Sequence, residues 1–433
     1  MDDVEELCSR LIRLDTTNYG GGESAGEREA GELVATVLSA AGIESKVLER
    51  TTRRSNVIAR VPGTDSSLPP LLVQGHLDVV PADPAQWSRD PFSGEIADGY
   101  VWGRGATDMK DFIAMVLTVV HTWAQEDRAP RRDIVLAFVA DEEDTGADGA
   151  EWLVDEHPSL FEGCGATISE SGGYSYHVTH ASGAPMRLYP IGTAERGTSH
   201  LRLTATGRAG HGSRRNDDNA VVKLIAALDR IAQHPWPIRL TPTVTAFLER
   251  TGKALGVEVD LSDVDGTLAR LGKAAPLVEN TVRISTRPTV LKAGYKVNVI
   301  PSTAVAEVDT RTLPGTELEL LSTIDTLLGD GVTREFVTRM PALQAPIDSP
   351  WFDAMAAAIR SQDPDAVVVP YCMGGGTDAK AFARLGIPGY GFAPLWLPEG
   401  FDYRAMAHGV DERVPVQGLH FGVRVLDAFL SEV

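Results

Sequence analysis

Apolar residues recur along this chain with two different periods. Val4, Leu7, Leu11 and Leu14 return every three or four residues and predict an amphipathic helix at the start. A second helix is predicted over about 28–41, ending at Gly42, a residue suited to closing a helix. NVIARV at 56–61, LLVQGH at 71–76 and DIVLAFVA at 133–140 read as strands. The last two are nearly all apolar, which suits strands covered on both faces of a largely parallel sheet. Between them MKDFIAMVLTVVHTW at 109–123 reads as a buried helix, and ATIS at 166–169 follows as a short strand. Strand and helix alternate, so the expected class is α/β, a mostly parallel mixed sheet between helices.

The texture changes near Thr193. HLRLTATG at 200–207 alternates apolar and polar, the pattern of a half-exposed antiparallel strand. A helix is predicted over 218–232 and strand patterning over VNVIPSTAVAEVDTR at 297–311. ELELLSTIDTLLG at 317–329 reads as helix and REFVTRM at 334–340 as strand. From Pro350 buried helices and glycine-rich loops return, ending in a helix marked by Leu419, Val423, Leu426 and Leu430. The expected organisation is a catalytic α/β domain over 1–193 and 342–433, interrupted by an α+β domain over 194–341 of ordinary domain size.

Composition narrows the partners. Sixty acidic against 40 basic residues give a net charge of −20, which argues against nucleic acid and anionic membranes. No run approaches the length of a membrane span, and the acidic start MDDVEELC lacks the features of a secretory leader. Three cysteines without a CxxC exclude a disulfide framework or a cysteine-rich zinc site and point to a reducing, cytoplasmic setting.

In open α/β sheets, functional residues gather beyond the carboxyl ends of strands. LLVQ runs into Gly75-His76-Leu77-Asp78, DIVLAFVA into Asp141-Glu142-Glu143-Asp144, and ATIS into Glu170; Asp108 opens the buried helix. Histidine and carboxylates at such positions suit a metal bound by nitrogen and oxygen. His76 and Asp78 are two apart on an extended backbone, so Asp78 is expected to take the second ring N–H of His76. Glu142 and Glu143 are neighbours that point different ways, so one can bind metal while the other serves as general base to an attacking water. Gly374–Gly376 lacks the Gly-Lys-Ser/Thr of a phosphate loop.

GHLDVVP, WGRGATDMKD, ADEE, the lone Glu170, GHGS, NVIP, DTR, GGGTDA and AHGVDERVP occur in this order over about residues 4–430. In them the chain resembles the di-zinc amidohydrolases and metallopeptidases. These include aminoacylase, glutamate carboxypeptidases, carnosine-type dipeptidases, acetylornithine deacetylase and succinyl-diaminopimelate desuccinylase. The resemblance implies two divalent ions, zinc first, with cobalt or manganese as alternatives. It implies His76 and Glu170 as ligands of one ion, Glu143 and His408 as ligands of the other, and Asp108 as the bridge. Glu142 resembles the general base and Asp78 the residue that supports His76. His211 in GHGS resembles a lid histidine that polarises the scissile carbonyl, often in the partner subunit's site. Asn298 and Arg311 resemble a pair that contacts the substrate and its carboxylate, and Gly375 and Thr377 the loop lining that pocket. Ser169 stands where the family pattern has an acid before the fourth ligand, and the stretch 235–280 is longer than a minimal lid needs.

The implied activity is hydrolysis of a small carboxylate-bearing amide such as an N-acyl amino acid, by a homodimer joined through its inserted domain. A dipeptidase or exopeptidase of the same family is the alternative. A catalytically silent binding protein of this fold is the third reading, against which the presence of Glu142 speaks.

Overall fold

The computed structural model describes residues 3–433; Met1 and Asp2, the first residues of the acidic start, lie outside them. A ten-stranded mixed sheet forms the larger layer. Its main order is Tyr176–Thr179, Pro185–Glu195, Gly389–Gly391, Ala166–Ser169, Leu71–His76, Ile134–Val139, Ser55–Val61, Ser45–Glu49. Val367–Met373 and Leu343–Gln344 also pair with Pro185–Glu195. The four strands from Gly389–Gly391 to Ile134–Val139 run parallel; the margins turn antiparallel, except that Val367–Met373 runs parallel to Pro185–Glu195. Leu71–His76 and Ile134–Val139 are buried at every position, as their apolar runs require. Helices Val4–Ile12, Lys110–Gln125, Pro350–Gln362 and Val416–Glu432 join the main core, which also takes in Val73, Leu136, Phe138 and Ile168 of the sheet.

Gly389–Gly391 enters this sheet between two strands made much earlier in the chain. Gly192 and Gly391 meet there so closely that a Cβ on Gly192 would lie 2.9 Å from the Gly391 Cα. Two glycines allow a contact that side chains would block.

A second, four-stranded antiparallel sheet has the order Ser285–Ala293, Thr303–Thr312, Gly197–Thr206, Val332–Met340. Thr303–Thr312 alternates buried and half-buried positions, as a sheet with one covered face should. Helices Ala220–Gln233 and Glu317–Leu328 supply the cover through Leu224, Ile231, Leu320 and Ile324. The run 297–311 is not one strand. Val299–Ile300 pairs with Gly210–His211 in a separate ribbon, and the long strand starts only at Thr303, beyond Pro301.

The stretch 235–280 also departs from expectation. Helices Pro242–Leu255 and Val264–Leu271 pack with Val178, Leu188, Val369 and Cys372 of the larger sheet, not with the four-stranded one. Val244, Phe247, Leu248 and Leu255 form an apolar stripe at helical spacing that covers the outer strands.

Candidate metal centre and substrate cleft

Five residues far apart in sequence converge at the carboxyl ends of the parallel strands. His76 closes its strand and is buried; its Nε2 lies 3.0 Å from Asp108 Oδ1 and 3.9 Å from Glu170 Oε1. Asp108 Oδ2 lies 3.3 Å from Nε2 of His408, which also stands 3.0 Å from Glu143 Oε2. His408 holds a positive φ of 60°, in the loop before Arg413–Pro415. The result is two ligand triads, His76–Asp108–Glu170 and Asp108–Glu143–His408, each with its donor atoms within 4.8 Å of one another and both using Asp108.

The charges around these triads suit cations. Burial first, then neighbouring carboxylates, push the carboxyls of Glu142 and Glu170 well above their usual range, and Glu143 is raised by burial as well. Burial also opposes the ionisation of Asp108, but hydrogen bonds from His408 and His76 outweigh it and hold that carboxyl low. Crowded acids and two imidazoles are a nitrogen–oxygen donor set that divalent ions would satisfy.

The loop carrying Asp108 is fixed from the far end of the chain. Glu412 is fully buried and accepts from Arg104 at 2.6 Å, from the main-chain N–H of Thr107 at 2.7 Å and of Gly105 at 3.1 Å, and from the Thr107 hydroxyl at 3.0 Å. It lies four residues after His408, so WGRGATD and AHGVDE hold each other.

Asp78 is placed differently from the expectation. The His76 Nδ1 faces the main-chain carbonyl of Asp78 at 2.9 Å, while the Asp78 Oδ1 is 3.6 Å away. The carboxylate is taken by three other donors: Asn18 Nδ2 at 2.9 Å and the main-chain N–H groups of Glu142 and Glu143, each at 3.2 Å. Asn18 also donates to Asp141, and Arg54 joins Asp141 to Glu27, so a buried polar layer underlies the site.

Glu143 turns to His408, while Glu142 faces a cavity of about 240 Å³ shared with Thr198, His200, Arg311, Thr377 and Asp378. Arg311 is partly engaged: it donates to Asp309 at 2.8 Å and Thr198 at 3.1 Å. Thr377 is bound through its N–H and hydroxyl to Glu195, and Gly375 lines the adjoining cavity with Arg311. His211 and Asn298 are not brought to this cleft. They sit side by side on the exposed ribbon, where the Gly212 N–H donates to the Asn298 carbonyl, and neither lines the Glu142 cavity.

Sequence reasoning passed over Asp378, Arg196 and Glu412. Asp378 lies within GGGTDA and Glu412 within AHGVDERVP, so those two had a local signal; Arg196 had only its place at the change of texture.

The sequence model of peptidase family M20/M25/M40 matches residues 72–432. The chain belongs to this family. As a member of the M20 peptidases it is a hydrolase of amide bonds. Its relatives include aminoacylase-1 of Sus scrofa, 30% identical over 378 residues, 86% of this chain and 81% of that protein. The N-fatty-acyl-amino acid synthase/hydrolase PM20D1 of Xenopus tropicalis is 28% identical over 431 residues, 97% of this chain and 83% of that one. Among solved structures, the M20 family metallo-carboxypeptidase Sso-CP2 from Sulfolobus solfataricus shares the fold with a TM-score of 0.73 at 17% identity, over 100% of this chain and 99% of that one. Among the described residues of this M20 chain, no helix is long and apolar enough to cross a membrane.

Proposed function

We propose that the protein hydrolyses the amide bond of N-acyl amino acids or closely related small amides that carry a carboxylate. The observation that carries this reading is the pair of triads sharing Asp108, with Glu142 facing the cavity that Arg311 also lines. His76, Asp108 and Glu170 would hold one divalent ion, and Asp108, Glu143 and His408 the other, with zinc as the working metal. Ions bound there would supply Lewis acidity, which lets water ionise near neutral pH and polarises a carbonyl. Glu142 takes the proton from the attacking water on its carboxylate and returns it to the leaving amine nitrogen. Asp78 fixes the direction of Glu142 through its main chain and orients His76 through its carbonyl. Arg311 holds the substrate carboxylate, beside the loop of Gly375 and Thr377.

The inserted domain, over 194–341 apart from the part that covers the larger sheet, forms a two-fold dimer in this reading. Exposed Val222 and Ile225 on the helix Ala220–Gln233, and Leu291 on the edge strand Ser285–Ala293, support it. A partner would then bring His211 and Asn298 to the cleft, since the ribbon presents both outward. Three unpaired cysteines accord with a cytoplasmic setting.

The test is turnover of N-acyl amino acids, their carboxamides and dipeptides, with metal content measured in parallel. N-acyl amino acids should be cleaved far faster than their carboxamides, and Arg311→Ala should cost about 2 kcal/mol on the former only. Preference for dipeptides would make the protein a dipeptidase. Equal loss on acids and amides would remove Arg311 from the substrate site.

A further inference from the structure

A second cavity, of about 310 Å³, shares Arg311 with the first but is not lined by Glu142, and it touches none of the five clustered ligands. Four arginines line it: Arg196, Arg287, Arg311 and Arg404. Arg196 forms the buried wall, at 5% exposure. It donates to the Ser285 hydroxyl at 2.7 Å and to the main-chain oxygens of Arg311 and Arg283 at 3.2 and 3.4 Å. Among the described residues no carboxylate pairs with it, and its buried Nε has no hydrogen-bond partner. The one acid of the cavity, Asp309, is already held by Arg311 at 2.8 Å and faces His200 at 3.3 Å. Among the described residues Arg287 has no acidic partner, and Arg404 donates to the carbonyl of Pro276.

In a chain of net charge −20, such a cluster stands out. Burial, then the positive charge of Arg311, draw the Arg196 guanidinium down to about 10. An anion in the cavity would relieve the repulsion among these guanidinium groups. Carboxylates suit it, because a guanidinium can grip one with two parallel hydrogen bonds. Gly374 and Gly375 complete the wall, and nothing lies within 4 Å of where their side chains would be.

Position fixes which half of the substrate is concerned. Arg311 is common to both cavities, and only the first reaches Glu142. An amino acid whose α-carboxylate rests on Arg311 directs its amide nitrogen to the Glu142 side. Its side chain then turns toward Arg196 and Arg287. We infer that the four-arginine cavity receives an acidic side chain on the amine-leaving half of the substrate, so that the preferred substrates are amides of glutamate, aspartate or analogues with a second carboxylate. This rests on the amide-hydrolase reading above.

The experiment compares N-acetyl-L-glutamate with its neutral isostere N-acetyl-L-glutamine as substrates. Calorimetric binding of free L-glutamate and L-glutamine is measured beside it. Wild type, Arg287→Met, Arg287→Lys and Arg196→Met are used as full chains. The glutamate form should be preferred about tenfold or more in both readouts, the scale of a charge-assisted hydrogen bond. Arg287→Met should erase most of that ratio through KM, and Arg287→Lys should keep part of it. Arg287 is exposed, so this variant stands even if Arg196→Met fails to fold. No preference in the wild type, or equal losses on both compounds, would overturn the inference while leaving the amide hydrolase intact. A preference for a carboxylate on the acyl half, lost in Arg287→Met, would overturn it as well. Glutamate binding that depends on Arg287, without turnover of any amide, would uphold the cavity and overturn the hydrolase substrate reading instead.

Discussion

The carboxylate of Asp78 accepts the main-chain N–H of Glu142, Oδ1 to N, at 3.2 Å. Its other oxygen accepts the N–H of Glu143. One side chain from the end of Leu71–His76 thereby sets two consecutive acids that follow Ile134–Val139. Consecutive residues diverge, so fixing both amides sends Glu143 to His408 and Glu142 to the cleft.

Glu142→Gln should keep the fold and the bound metal but lower kcat by about 10² or more, the usual weight of a general base. Steady-state kinetics with metal analysis on the same sample checks this. Asp78→Asn presents an N–H₂ group where an acceptor is needed, at a cost of about 1–3 kcal/mol for the unmet donors. It should lower both thermal stability and turnover.

Metal loss should follow the sharing of Asp108. A fully loaded sample should hold about two equivalents of divalent ion, as in two-metal sites. His408→Ala removes a ligand from one triad and should release close to half; Asp108→Ala touches both and should release nearly all. Plasma emission analysis after dialysis distinguishes the two. Loss of the same fraction in both variants would contradict the shared arrangement.

Glu27 provides a pH signature. It is fully buried, shares Arg54 with Asp141, and keeps one oxygen unpartnered. Burial, then the nearby Asp78, push its carboxyl from 4.5 up to about 8. The folded value lies above the unfolded one, so the folded chain holds a proton that the unfolded chain releases. The stabilisation is whole below 4.5 and is lost as pH rises through about 8, at no more than about 1.4 kcal/mol per pH unit. In metal-stripped protein, Glu27→Gln should flatten this decline in melts taken between pH 5 and 8. Parallel curves for the two proteins would show that Glu27 is ionised throughout.

Assembly has its own test. Mixing Glu142→Ala with His211→Ala protomers should restore activity, since one site of each heterodimer would have both groups. Subunit exchange confirmed by mass, with no activity regained, would place the action of His211 within its own chain.

The buried strands were legible because runs such as IVLAFV have no polar face to offer water, and their ends pointed to His76, Glu142, Glu143 and Glu170. The contact made by Asp78 was not legible. Spacing puts its side chain on the side of His76 but cannot weigh the ring against two main-chain amides from another strand. Nor could the stripe of Pro242–Leu255 reveal which sheet it covers, because an amphipathic helix encodes a face and not its partner. Arg196 was silent for a similar reason. Its meaning depends on Arg287 and Arg404, which only the folded chain brings near it.

The strand Gly389–Gly391 has a consequence for biosynthesis. Its neighbours, Ala166–Ser169 and Pro185–Glu195, leave the ribosome long before it does. At about 5–20 residues per second, the gap between them stays open for roughly ten to forty seconds. Throughout that interval two apolar strands present unpaired edges, the form of surface on which nascent chains aggregate. Yield in a cell should therefore depend on holdase chaperones and on uninterrupted translation from Glu195 through Gly391. Chains released early would carry an intact Glu142 and an unclosed sheet.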